Sequence, residues 1–340
     1  MSGIQRNSAH ELLRICAMLV IVFYHLLSYY LYLIPHDSSS DYILESFLPT
    51  VHIGVILFVL ISGYYTIRPS VSGLFKLLFI VFIYFVPLKF VQCVHSHSNP
   101  LNAFLFITNT PYWFIRTYLY LYLISPLLNK FLEMSNRKSQ NVMLLVLAII
   151  AVYFGTMQGD ESLSDGKNLI NFSFLYFLGN TIRDYREKWT RVPQIYLWLA
   201  WIVLNATIVS LLLCYTKETP IGGFVWRLSF PYCSPLLIAN ATILFVLFSK
   251  WNFSSKTVNF VALSMFAVYL IHVQPTIHNH ILVPTLQNIV SYHLLEIVGI
   301  LLATSIGILL VCVVVDKILT PIWNLGKQIG GSLETKIMHK

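Results

Sequence analysis

Charge is scarce in this chain of 340 residues: 11% are Asp, Glu, Lys or Arg, while 57% are apolar. Soluble domains carry about 25% charged and roughly 45–50% apolar residues, so a water-soluble globule is excluded. Acidic residues are the scarcer sign, 14 against 22 Lys and Arg, for a formal net charge of +8. A mean hydropathy of +0.71 leaves lipid as the solvent for the apolar excess. Crossing a hydrocarbon core of about 30 Å takes roughly 20 apolar residues, so the chain has room for about ten spans and for no sizeable soluble domain. Nucleic-acid binding is excluded with it, despite a pI of about 9.1.

Paired cysteines are missing too. Cys16, Cys93, Cys214, Cys233 and Cys312 stand singly in or beside apolar runs, with no CxxC and no Cys/His spacing of the zinc type. They read as small apolar packers. His95 with His97, His278 with His280, and His293 have no carboxylate or cysteine to complete a set, so no metal is expected. No A-x-A-like cleavage site follows the apolar stretch from Leu12 to about Ile34, which is too long for a signal-peptide core. A retained first helix is expected.

What the chain does contain is a succession of apolar runs broken by polar or Pro- and Gly-containing stretches. These place helices over 11–34, 47–67, 74–95, 112–131, 141–157, 168–183, 194–214, 226–248, 258–277 and 294–316. The stretches 36–41 and 160–165 read as solvated outer loops. The expected fold is an all-α integral membrane protein of about ten transmembrane helices. Cytoplasmic loops retain Lys and Arg. With the N-terminus inside, every Lys and Arg outside the spans falls in an inside segment except Lys167 and Lys217. That asymmetry predicts an even helix count with both termini cytoplasmic. No repeat of the transporter kind, with matching broken helices in two halves, is visible.

An ionisable side chain at the centre of a span costs at least about 2.5 kcal/mol on insertion, so each one is a functional candidate. Arg14 and His25 lie eleven residues apart in the first helix. At 100° per residue they share one face, about 16 Å apart along the axis. Glu11, three residues before Arg14, is placed to hold the guanidinium. An inward Arg suits phosphate or carboxylate recognition, and a buried His suits proton transfer. The plain structural alternatives are that Arg14 snorkels to the headgroups and that His25 packs between helices. Ser62 and Gly63 form either a packing notch or a ligand space. His272, with Ser264 eight residues before it, and Lys89 beside Pro87 are further intramembrane polar residues, each equally readable as structural.

The pattern resembles acyltransferase family 3, multi-spanning membrane enzymes that O-acylate cell-surface polysaccharides. The carrying residues are Glu11-Leu12-Leu13-Arg14-Ile15-Cys16-Ala17-Met18 followed by His25, which gives the family's Arg-x10-His. Phe58-Val59-Leu60-Ile61-Ser62-Gly63-Tyr64, Tyr112-Trp113-Phe114, Ser125-Pro126-Leu127-Leu128 and Tyr269-Leu270-Ile271-His272 follow in order. The resemblance implies that residues 1–325 form a single transmembrane acyltransferase domain, with a cytoplasmic tail over 326–340 and no fused soluble domain. It implies transfer of acetyl from cytoplasmic acetyl-CoA to a hydroxyl of a cell-surface or lipid-linked glycan, with no permanently bound cofactor. His25 would be catalytic and Arg14 would bind the anionic donor. The family commonly has a basic pair after the second helix; here only Arg68 and Lys76 stand there, separated by Pro69 and Gly73.

Acyl transfer needs a donor anchor, a base and oxyanion stabilisation. Arg14, Arg68 and Lys76 can anchor, and His25 can act as base or, less directly, as acyl carrier. Ser62, Tyr64 and Trp113 are the oxyanion candidates, with Glu11 and His272 in support. The competing reading is a membrane transporter or glycan flippase, for which buried Arg, Lys and His would form a substrate or proton pathway. Such a carrier would usually show intramembrane carboxylates, and only Glu11 and Glu296, near helix ends, come close. The bilayer itself is the one partner that composition fixes; oligomeric state is not encoded in any pattern here.

Overall fold

The computed structural model describes residues 7–33, 39–106, 112–159, 161–215, 219–289 and 292–338. Every regular element among them is helical. In chain order the α-helices are α1 (Ser8–Leu33), α2 (Ser39–Val51), α3 (Gly54–Tyr65), α4 (Val71–His95), α5 (Trp113–Met134) and α6 (Arg137–Ala148). They continue as α7 (Leu169–Asp184), α8 (Arg186–Thr190), α9 (Gln194–Cys214), α10 (Pro220–Ser229), α11 (Pro235–Ser249) and α12 (Lys256–Ala262). The last are α13 (Met265–His272), α14 (Pro275–Ile277), α15 (Val283–Gln287), α16 (Leu294–Ile318) and α17 (Thr320–Met338).

Among the described residues, six helical segments are long and apolar enough to cross a membrane: Ser8–Leu33, Asp41–Tyr65, Val71–His95, Arg137–Met157, Gln194–Cys214 and Leu294–Ile318. The other four expected spans depart from that standard for local reasons. Residues 112–131 fall in α5, which carries Arg116, Lys130 and Glu133. Helix α7 has 16 residues, the run 226–248 is broken around Pro231, and 258–277 is broken at Leu263 and Ser264. The second span starts at Asp41, not at 47, so Asp41 is helical where a loop was expected. It is a broken helix, interrupted at His52 and Ile53, three residues after Pro49 removes a ladder donor.

By internal contacts the chain divides into two compact units, one of residues 1–67 and 117–262, the other of 68–116 and 263–340. The core of the first is α3, whose Val55, Ile56, Leu57, Val59, Leu60 and Ile61 are all buried. A helix apolar on all sides belongs at the centre. It packs on α7 through two glycines: a Cβ on Gly63 would lie 2.1 Å from the Tyr176 carbonyl oxygen, and one on Gly179 would lie 2.3 Å from that of Leu60. Between lipid-solvated helices, such close approach replaces the hydrophobic drive available in water. Gly54 likewise faces Ala17 and Ile21 of α1. The start of α1 is pinned where Ser8 N donates to the Phe253 carbonyl at 3.1 Å and Ser8 Oγ to Asn259 at 2.9 Å.

In the second unit α17 packs on α4, with Gly326 against Phe79. Residues 326–338, read from sequence as a tail, continue this helix. Asp316 is its polar hub. It accepts from Tyr84 Oη at 3.2 Å, Trp323 Nε1 at 3.0 Å and Ser264 Oγ at 2.7 Å. Three neutral donors keep a carboxylate that is only 8% exposed from being an orphan charge.

Candidate active site

Helix α1 carries both ends of the site. At one end Arg14 Nη1 bonds both Glu11 carboxylate oxygens at 3.0 Å. Glu11 is 4% exposed, whereas 27% of the Arg14 side chain is accessible. The pair fixes the guanidinium while the rest of its donor fork makes no other bond among the described residues.

Next to it lies His10, a buried residue that periodicity alone did not single out. Ser249 Oγ spends its proton on the Phe245 carbonyl at 2.7 Å. His10 Nε2–H therefore donates to Ser249 Oγ at 2.7 Å, and Nδ1 accepts from Tyr65 Oη at 2.6 Å. Each ring nitrogen has a partner, so His10 joins α1, α3 and α11 as a clamp and holds no spare lone pair for catalysis. The Tyr64 ring stands edge-on to it at 5.0 Å.

Two more guanidinium groups surround this cluster. Arg183 Nη1 donates to the Tyr64 carbonyl at 3.2 Å. Arg186 opens α8, and its charge acts on His10 and Tyr64, as that of Arg14 acts on His10 and Tyr65. Asp184 offsets part of the charge by pairing with Arg137 at 2.6 Å and Arg183 at 3.4 Å. In sequence, Arg183 and Arg186 served only as topology markers. Their place near Tyr64 follows from the glycine-to-backbone packing of α7 on α3, which no local pattern shows.

At the other end, His25 is half-buried, with Tyr24 at 5.6 Å and Tyr29 nearly parallel to it at 6.1 Å. The break between α2 and α3 delivers a second histidine here. His52, 7% exposed, stacks on Tyr24 at 4.3 Å and 13°. Its Nδ1–H donates to the Phe230 carbonyl at 2.9 Å, which leaves Nε2 as the nitrogen with a lone pair. An ionisable residue flanked by Pro49 and Gly54 inside a span was the sequence signal for His52.

Ser62 and Tyr64 lie apart from this end. Helices α1 and α3 run antiparallel, with Gly54 against Ala17 and Ile21 and Tyr65 against His10. Ser62 and Tyr64 are thus about 12–15 Å beyond Gly54, toward Arg14. Ser62 Oγ donates to the Phe58 carbonyl at 2.9 Å and reaches Tyr118 Oη at 3.4 Å; the packing notch is its neighbour Gly63. In the second unit Arg68 and Lys76 are exposed. Trp113 is half-buried and edge-on to Phe114 at 6.2 Å. His272, 2% exposed, donates from Nδ1 to the Val268 carbonyl at 2.7 Å. Tyr112, fully buried, shares its hydroxyl between the Leu270 carbonyl at 2.9 Å and Gln274 Oε1 at 3.1 Å. No three His, Cys, Asp or Glu side chains among the described residues are grouped as a metal would require.

A family model described as an acyltransferase domain matches residues 7–316. The chain belongs to that acyltransferase family. The match starts just ahead of α1 and ends at Asp316, so both ends of the α1 site fall within it. No curated protein and no solved structure matches. Family and apolar helices together make this a membrane acyltransferase. Chemically, clustered guanidinium groups suit an anionic ligand, and an imidazole among tyrosines suits proton transfer.

Proposed function

We propose that this acyltransferase is an O-acetyltransferase that moves acetyl from cytoplasmic acetyl-CoA to a hydroxyl of a cell-surface or lipid-linked glycan, modifying envelope polysaccharide. In this reading the chain crosses a bacterial-type cell membrane ten times with both termini cytoplasmic, the shorter and broken apolar helices completing the count. The observation that carries it is Arg14, locked by Glu11, on the same face of α1 as His25 and about 16 Å from it along the axis.

The donor phosphates lie against Arg14, Arg183 and Arg186. The acyl arm runs along α1. Neutral His25 takes the proton of the acceptor hydroxyl as its oxygen attacks the thioester carbonyl. The tetrahedral intermediate then collapses, expels the CoA thiolate and leaves the ester on the glycan; the imidazolium returns its proton to the thiolate. Tyr24, Tyr29 and His52 are the groups beside His25 that can steady this charge, in place of Ser62 and Tyr64. No permanently bound cofactor or metal takes part. The transport reading finds no support in the family match.

The test is transfer of label from radioactive acetyl-CoA into the polysaccharide fraction of membranes containing the protein, beside His25→Ala at matched expression. Label is expected with His25 and absent with the variant. A folded, inserted His25→Ala that still transfers label refutes the mechanism.

A further inference from the structure

Beyond His25, at the end of α1 away from Arg14, the first unit contains a pocket of about 200 Å³. Ser28 and Tyr32 of α1, Glu45 and Leu48 of α2, and Trp226 and Phe230 line it. The volume is below the roughly 300–1,000 Å³ of sites for drug-sized ligands and is of the size of a single ring. Tyr32 is turned only about 20° from His25 around α1 and Ser28 about 60°, at axial distances of about 10 and 5 Å. The pocket is therefore on the catalytic face, one to two turns outward.

Its chemistry is unlike that of a lipid cleft. Trp226 and Phe230 stack at 4.2 Å and 11°, which makes a flat double platform. Aromatic rings then continue inward without a gap: Phe230 to His52 at 5.2 Å, His52 to Tyr24 at 4.3 Å, and Tyr24 to His25 at 5.6 Å. Glu45, half-buried at the rim, has no hydrogen bond or ion pair among the described residues. A carboxylate at a rim takes hydrogen bonds from water or from a hydroxyl that replaces it. Acyl chains cannot donate. A sugar ring has both needed surfaces, an apolar C–H face for the indole and hydroxyl donors for a carboxylate.

We propose that this pocket is the acceptor subsite, in which one pyranose ring stacks on Trp226 and donates hydroxyls to Glu45 while a neighbouring hydroxyl of the glycan reaches His25. This deepens the glycan-acceptor reading and rests on it, so the test is run without donor. Full-length protein in lipid nanodiscs is mixed with methyl pyranosides of glucose, galactose, mannose, rhamnose and N-acetylglucosamine, and sugar contact is read by saturation-transfer NMR. At least one sugar is expected to show contact on its C–H face. Trp226→Ala and Glu45→Gln should each weaken it about tenfold, from the loss of a stacking or charge-assisted contact. Trp226→Phe, which keeps a platform, should retain it and guards against a variant that merely misfolds. No contact in the unsubstituted protein, or undiminished contact in both Trp226→Ala and Glu45→Gln, overturns the proposal. Sugar contact at Trp226 in a protein that transfers no label would keep the pocket and refute the reaction. Transfer by a protein with no such contact would do the reverse.

Discussion

The tightest approach in the first unit sets a sharp expectation for Gly63→Ala. The added methyl would lie 2.1 Å from the Tyr176 oxygen and 2.8 Å from both its carbonyl carbon and its Cα. Non-bonded carbon contacts settle near 3.5–4.0 Å, so α3 and α7 must part by about 1 Å. The obstacle is backbone, which cannot swing aside as a side chain can. Overpacking of this kind costs about 1–3 kcal/mol, and the better helix propensity of Ala returns at most about 1 kcal/mol. A net loss of about 1–2 kcal/mol is expected. Because α7 also holds Arg183 on the Tyr64 carbonyl, the KM for acetyl-CoA should rise as well. Gly307→Ala is the control: nothing lies within 4 Å of its added carbon, so it should be neutral or slightly stabilising. Thermal unfolding of the purified proteins in one detergent, beside donor saturation curves, measures both effects. A Gly63→Ala protein that melts at or above the temperature of the unsubstituted one, with unchanged KM, would refute the close-packed α3–α7 contact.

The three-guanidinium cluster predicts that Arg183→Gln and Arg186→Gln each raise the KM for acetyl-CoA about tenfold with little change in kcat, the loss expected for one charge-assisted bond. High salt should raise the KM of the unsubstituted enzyme in the same direction; a salt-independent KM would contradict it. In the second unit Asp316→Ala strands the Tyr84, Ser264 and Trp323 donors and should cost about 3–5 kcal/mol, while Asp316→Asn, which keeps an acceptor, should cost less. Equal melting temperatures for the two would sink that account. Arg14 and His25 are about 16 Å apart along α1, close to the length of about five extended residues. An arm as long as that of CoA bridges them and acetyl phosphate cannot, so acetyl phosphate should give no transfer above background in the label assay.

The long helices were legible because long apolar runs with few charges dominate them. The runs at 11–34, 74–95, 194–214 and 294–316 became Ser8–Leu33, Val71–His95, Gln194–Cys214 and Leu294–Ile318. Helix α9 shows why: Ile195, Leu199, Ile202 and Val203 are all exposed, so composition alone decides its place. The run at 47–67 was harder. Pro49 and the residues after it break the helix at His52 and Ile53, and apolar content does not record where a span bends. Ser264 and Pro231 do the same to two other runs, because a backbone buried among neighbouring helices can be non-helical where one facing lipid cannot.

The site divides along the same line. Arg14, Glu11 and His25 were readable because they share one helix, where spacing fixes angle and rise. Arg183, Arg186 and His52 were not, because each reaches the site through a contact between helices far apart in sequence. Arg183 depends on Gly63 and Gly179 fitting against opposite backbones, and His52 on the Phe230 carbonyl that orients its ring. Tyr64, an oxyanion candidate in the sequence, is set by the antiparallel packing of α3 on α1 beside His10 at the Arg14 end. In a helical membrane enzyme the chemistry within one helix is therefore set by periodicity, and the chemistry between helices by where small residues let backbones meet. Those meeting points, Gly54 on Ala17 and Gly63 on Tyr176, decide which side chains of α3 and α7 are brought to α1.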